Sequence, residues 1–76
     1  MEYKVFLNTI EKVKEFSTVC SNYPSLTIDV LSGRYIVNAK SLMGLFSLDL
    51  THYLTIRTDV ENKRFAKDIE RFIVDV

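Results

Sequence analysis

The sequence is poor in the residues that build covalent cross-links and metal sites. It contains one cysteine and one histidine among 76 residues. A single cysteine excludes an intrachain disulfide and fits a reducing compartment. One cysteine and one histidine also fall short of the three or four ligands that a zinc site requires. We therefore expect no metal site and no cofactor.

The chain also lacks an excess charge and a long apolar run. Ten Lys and Arg balance ten Asp and Glu, which argues against binding to nucleic acid or to an anionic membrane surface, because both depend on clustered positive charge. No segment approaches the roughly 20 apolar residues of a membrane span, and the N-terminus does not resemble a signal peptide. We expect a cytoplasmic protein.

The few Gly and Pro residues and the 47% hydrophobic fraction are typical of a folded chain. Its length fits one domain, residues 1–76, which buries about 60% of the surface of its unfolded chain. Alternating apolar residues predict a first strand over residues 2–7. Asn8 is then expected to cap a helix over about 9–22, with Glu11 as its capping-box partner, and Pro24 should end that helix.

The middle of the chain predicts a hairpin followed by a short helix. Apolar residues alternate from Leu26 to Val30, Ser32-Gly33 forms a turn, and β-forming residues follow at 35–37. Ser41 is expected to cap a helix that continues to Leu48.

The last third predicts a strand and a helix. The strand covers Tyr53–Thr58, and Thr58 with Glu61 has the pattern of a second capping box. The apolar positions of the helix are Phe65, Ala66, Ile69, Phe72 and Ile73. The resulting order, βαββαβα, predicts an α+β domain of two layers with helices on one face of a sheet.

The segment Val37–Leu48, VNAKSLMGLFSL, resembles the centre of the HPr family, the phosphocarrier proteins of the sugar phosphotransferase system. That family has Val-(Asn/Asp)-(Ala/Leu)-Lys-Ser-Ile-Met-Gly-(Val/Leu)-Met-Ser-Leu at this place and the same order of elements. The resemblance implies an HPr-like open-faced sandwich with a four-stranded antiparallel sheet.

The N-terminal third departs from that family. HPr proteins carry phosphate on a histidine in a Gly-(Leu/Ile)-His-Ala-Arg-Pro segment between the first strand and the first helix, whereas Leu7–Lys12 here contains no histidine. The only histidine, His52, lies beyond the motif. The chain therefore resembles the catabolite-repression branch of HPr, which lacks the histidine and keeps the serine. We expect no catalytic residue and no enzyme.

Ser41 aligns with the serine that a regulatory kinase phosphorylates in HPr proteins of many Gram-positive bacteria. The resemblance thus makes Ser41 a candidate phosphorylation site, while its residue type also suits a simple helix cap. The neighbouring residues Lys40, Leu42, Met43 and Phe46 correspond to the surface through which the family binds proteins. Alternatively, loops of this chain or a homodimer contact cover them.

The leading hypothesis is a regulatory module that binds protein partners through the short second helix. Two alternatives remain open. One is an active phosphotransfer component of the phosphoenolpyruvate-dependent system that uses another acceptor. The other is a stand-alone structural or oligomerising domain.

Overall fold

Eight short elements make up the chain in the computed structural model, which describes residues 1–75. They are β1 (Glu2–Val5), α1 (Ile10–Ser21), β2 (Ile28–Ser32), β3 (Tyr35–Asn38), α2 (Leu42–Phe46), β4 (Leu54–Thr58), α3 (Lys63–Asp68) and a 3₁₀ turn (Glu70–Phe72). The order βαββαβα predicted from the sequence is confirmed as far as α3.

The four strands form one antiparallel sheet in the spatial order β1-β4-β2-β3. Val30 in β2 lies opposite Val37 of β3 on one side and opposite Ile56 of β4 on the other. The strands β1 and β3 are therefore the two edges of the sheet. The hairpin turn predicted at Ser32-Gly33 is present, and Gly33 has a positive φ of 58° at its first central position, as in a type II′ turn.

Alternation along the strands separates a buried face from an open one. The buried strand residues are Val5, Ile28, Val30, Leu54 and Ile56, and they share one core with the helical residues Val13, Phe16, Cys20, Leu45, Phe65, Ile69 and Phe72. The helices thus cover one face of the sheet, and the other face presents polar and half-buried side chains. The two-layer α+β architecture is confirmed.

The start of α1 differs from the prediction. The strand ends at Val5 rather than at residue 7, since the ladder with β4 stops at the pair Val5–Leu54. On the outer side of the strand, the Phe6 N–H donates to the carbonyl of Phe72 at 3.1 Å. The cap is Thr9 and not Asn8: the Thr9 hydroxyl accepts the Lys12 N–H at 3.1 Å. The Asn8 side chain instead accepts from the Lys12 ammonium at 3.2 Å.

The C-terminal helix was predicted in the right place but with the wrong cap. Thr58 belongs to β4, and its hydroxyl donates to the carbonyl of Val60 at 2.8 Å, so it cannot cap a helix. Asn62 does so by accepting the Phe65 N–H at 3.0 Å. The helix ends at Asp68, and Ile73, expected on its apolar side, instead forms an antiparallel bridge with the first strand.

Candidate functional site

The helix α2 begins at a side-chain cap. The Ser41 backbone is extended, and its Oγ accepts the N–H of Gly44 at 3.1 Å. At the other end, the Ser47 hydroxyl donates to the carbonyl of Gly44 at 2.6 Å. That bond helps to end the helix at Phe46, short of the predicted Leu48. The cap predicted at Ser41 is confirmed.

The short helix has a buried side and an exposed side. Leu45 is fully buried and Leu48 nearly so. On the exposed side, the exposed fraction of Leu42 is 37%, of Met43 87% and of Phe46 41%. We call these three residues the α2 patch. The separation of the two sides agrees with the helical spacing of the sequence.

Gly44 allows α2 to lie close to β3. A Cβ atom built on Gly44 would lie 3.2 Å from Ser41 Oγ and 3.3 Å from the Cβ of Val37. The absence of a side chain at position 44 therefore permits this close approach of α2 to the edge strand. The α2 patch is thus carried by a helix that packs closely against β3.

Lys40 precedes the cap and is held by two hydrogen bonds. Its backbone N–H donates to Asn38 Oδ1 at 2.8 Å, and its ammonium donates to the carbonyl of Leu26 at 2.7 Å. The positive charge is thus directed toward the segment before β2. Burial raises the pKa of the Cys20 thiol to about 12, and the charge of Lys40 opposes that shift. Cys20 lies in the core.

The first turn of α1 follows β1, where the sequence resemblance places the phosphate-accepting loop of HPr proteins. Residues 8–12 are all exposed there. The Thr9 hydroxyl accepts the hydrogen bond of the Lys12 N–H, and the Lys12 ammonium donates to Asn8 Oδ1. None of these side chains can accept a phosphoryl group as a neutral imidazole does.

His52 lies in the loop between α2 and β4 and is exposed. Its Nε2 lies 3.6 Å from Asp49 Oδ2. Hydrogen bonds from the Thr51 hydroxyl at 2.6 Å and the Thr51 N–H at 3.0 Å lower the pKa of the Asp49 carboxyl. An open depression next to His52 is also lined by Arg34 and Tyr53, and within residues 1–75 no side chain of the α2 patch lines it.

The sequence disfavours a metal centre and a membrane-spanning helix. No group of three or more His, Cys, Asp or Glu side chains could hold a metal ion in this part of the chain. None of the helices described is long and apolar enough to cross a membrane.

The order, register and packing of these elements can be compared with known proteins. No protein-family model and no curated protein sequence matches the chain. Among solved structures, HPr-C-His from Thermoanaerobacter tengcongensis aligns with a TM-score of 0.77 and 20% identity, over 93% of this chain and 88% of its own. The chain has the HPr fold.

A second HPr structure leads to the same conclusion. The histidine-containing phosphocarrier protein of Mycoplasma aligns with a TM-score of 0.74 and 14% identity, over 93% of this chain and 89% of its own. The open-faced sandwich expected from the Val37–Leu48 segment is thereby confirmed. At these identities the likeness concerns the fold.

Proposed function

We propose that this HPr-fold protein is a non-enzymatic regulatory module that binds a protein partner through the α2 patch. The observation that carries the proposal is the exposure of Met43, which is 87%, in a helix whose opposite side is in the core. Leu42 and Phe46 extend the exposed apolar surface on either side. Contiguous exposed apolar side chains on a small domain are typical of interaction sites, and methionine adapts its shape to a partner.

The partner is expected to present an apolar surface to this helix. Phe46 and Met43 supply most of the contact area, while the rim is polar and includes the hydroxyl of Ser41. Lys40 is expected to contact the partner as well. In the chain on its own, its ammonium donates to the carbonyl of Leu26, which holds this residue at the start of α2.

The proposal excludes the phosphocarrier role because the turn before α1 contains no histidine to accept the phosphoryl group. Transfer from a phosphohistidine donor requires a neutral imidazole beside free amides and a cationic side chain. In the corresponding turn, Thr9 caps the helix through its hydroxyl, and the sequence has no histidine before His52. The alternative, phosphotransfer through His52, has an exposed imidazole beside a carboxylate, which would repel a phosphoryl group.

Phosphorylation of Ser41 would regulate binding in this proposal. The Ser41 side chain is exposed, and its Oγ lies at the start of the helix that carries the patch. A phosphate adds a charge of about −1.5 to −2 at neutral pH. That charge would stand next to Leu42, so an apolar partner would be disfavoured and a partner with Arg or Lys at the rim would be favoured.

The experiment has two stages. A photo-crosslinking amino acid at position 43 identifies a partner in extract of the source cells, and calorimetry with the purified partner then gives its Kd. We expect Met43→Lys to raise the Kd at least tenfold, because a buried apolar contact would be replaced by a charge. The matched control is Val60→Lys, which changes another exposed apolar residue outside the patch.

Equal affinity of Met43→Lys and the unmodified chain would refute binding through the α2 patch. The phosphotransfer alternative has its own test, incubation with enzyme I and radiolabelled phosphoenolpyruvate. We expect no label. Acid-labile label that disappears in His52→Ala would replace our proposal with that alternative.

A further inference from the structure

The two edges of the sheet differ in how they are covered. The outer side of β1 is hydrogen-bonded to the end of the chain: the Phe6 N–H donates to the carbonyl of Phe72 at 3.1 Å, and the Val74 N–H donates to that of Lys4 at 2.9 Å. This edge is therefore closed by the chain itself. The opposite edge, β3, has no strand or loop paired along it in residues 1–75.

The pairing of β3 with β2 shows which backbone groups face outward. The Ala39 N–H donates to the carbonyl of Ile28 at 2.9 Å, and hydrogen-bonded pairs alternate along an antiparallel ladder. Val37 and Tyr35 consequently bond to β2, whereas the N–H and C=O of Ile36 point away from it. Ile36 is thus the centre of the free edge.

Charged residues, proline and bulges, which protect many edge strands, are missing from β3, and its short length is the one such device it has. The strand Tyr35–Asn38 has no charged residue, no proline and no residue with positive φ. It exposes Ile36, whose exposed fraction is 58%. Natural edges of this kind are usually blunted by lysine, proline or a bulge, because a bare edge pairs with another strand.

We infer that two copies of this chain pair through β3 and form a continuous eight-stranded sheet. A two-fold axis at Ile36 satisfies the free N–H and C=O of both copies by mutual hydrogen bonds. The same register sets Arg34 opposite Asn38 of the second copy. Because every contact is then made twice, the interface is isologous.

The open face of the sheet is complementary to itself in this register. Leu31 lies opposite Ile36 within one copy, so the two copies would join their pairs into one apolar row of four side chains. In the neighbouring row, Arg57 lies 3.9 Å from Asp29, and Asp29 lies opposite Asn38. Arg34 of the second copy would come next, so the neutral Asn38 would separate its positive charge from Asp29 and no like charges would be neighbours in this row.

The same geometry limits assembly to a dimer. Pairing uses the only edge that is free in residues 1–75, since the end of the chain already covers β1. The strand is four residues long, so the interface falls at the small end of the specific range, below about 1,200 Å². We expect a reversible dimer that forms at high micromolar concentration.

Sedimentation equilibrium from about 10 μM to about 1 mM, a range that covers weak association, tests the inference. The average mass should rise from 8.8 kDa toward twice that value. Ile36→Lys should remain monomeric throughout. Val60→Lys is the matched control, because Val60 has the same exposed fraction of 58%. Met43→Lys tests the α2 patch separately, and both controls should associate like the unmodified chain.

Hydrogen exchange supplies a second measurement that does not depend on a variant. The Ile36 amide should exchange about twofold more slowly at 1 mM than at 10 μM, because a dimer that forms at high micromolar concentration still leaves a large fraction of monomer. The inference is overturned if the chain stays monomeric, if Ile36→Lys associates normally, or if Met43→Lys also loses association. If the chain does not dimerise, the proposal that it binds a partner through the α2 patch still stands, because different substitutions test the two surfaces.

Discussion

Ser41 Oγ accepts the N–H of Gly44 at 3.1 Å, and a Cβ atom on Gly44 would lie only 3.2 Å from the same oxygen. The cap and the glycine are therefore one structural unit. A substitution at either residue changes what the other contributes to stability.

The first prediction concerns this pair. Ser41→Ala should lower the free energy of unfolding by about 1 kcal/mol, because the Gly44 N–H loses its acceptor. Gly44→Ala in a helix ordinarily stabilises by up to about 1 kcal/mol. Here we expect no gain or a loss, since the new methyl group would crowd Ser41 and Val37. Urea unfolding monitored by circular dichroism measures both changes.

The double variant completes the cycle. If Ser41 Oγ is part of the obstacle, Gly44→Ala should be better tolerated in the Ser41→Ala background, by roughly 0.5 kcal/mol or more. Strict additivity would mean that Val37 alone opposes the methyl group.

The second prediction concerns the two lysines whose ammonium groups donate to oxygen within the chain. Lys40→Met removes a bond of 2.7 Å to the partly buried carbonyl of Leu26, and we expect a loss of about 1.5–3 kcal/mol in the free energy of unfolding. Lys12→Met is the control, because its bond to Asn8 is fully exposed. That change should cost less than about 0.5 kcal/mol. Equal losses would show that the Leu26 contact adds nothing.

The third prediction concerns the pH dependence that Cys20 causes. Its thiol pKa is about 12 in the folded state, against an ordinary value of 9.0. Below pH 9 the thiol is protonated in both states, so its contribution to stability is complete. Between pH 9 and 12 only the unfolded thiol ionises, which favours unfolding. Stability should therefore fall as pH rises through this range.

Cys20→Ala isolates that contribution. The pKa values of Tyr3 and Tyr23 are also raised, but both tyrosines remain in the variant. The decline in the free energy of unfolding above pH 9 should be shallower in Cys20→Ala than in the unmodified chain. Parallel profiles would contradict the assignment to Cys20. At pH 8, thiol reagents should modify the native chain far more slowly than the unfolded one.

The fourth prediction concerns the hydrogen bond from the Tyr23 hydroxyl to the carboxylate of Asp68. This bond joins the loop after α1 to the end of α3. Tyr23→Phe should lower the free energy of unfolding by about 1 kcal/mol, because the ring stays packed edge-on against Phe65 while the bond is lost. Tyr35→Phe, at a largely exposed tyrosine, is the matched control and should be neutral. A neutral Tyr23→Phe would assign the stabilisation to the aromatic packing alone.

The order of the elements and the sides of α2 could be predicted from the sequence because both depend on periodicity. Leu45 and Leu48 are buried and Met43 is exposed, as helical spacing requires. The short motif around Ser41 predicted the cap and the fold together. These features depend on residues that are close together in the sequence, so they can be predicted from it.

The caps of α1 and α3 could not be predicted because neighbouring residues offered equal chemistry. Asn8 and Thr9 can both accept an amide proton, and the choice depends on where β1 leaves the sheet. That point depends on the partners of β1, which are β4 and the segment around Phe72, and both lie far away in the chain. Likewise, Thr58 is used by the β4 ladder with Ile28, which left Asn62 as the cap.

The free edge at β3 also could not be predicted from the sequence. The residue types at Tyr35–Val37 predict a strand, but their pattern does not indicate whether the strand is central or at an edge. Edge position follows from the order β1-β4-β2-β3, a property of the whole sheet. The bare edge at Ile36 became visible only when every partner of every strand was known.

The bonds between β1 and the end of the chain have a consequence for synthesis. The strand Glu2–Val5 is synthesised before its neighbours, β4 and the segment around Phe72–Val74. On the ribosome, β1 therefore has no partner until those segments have emerged. The β2–β3 hairpin and α1 can form earlier, so the sheet is expected to grow from its middle and to receive its oldest strand last.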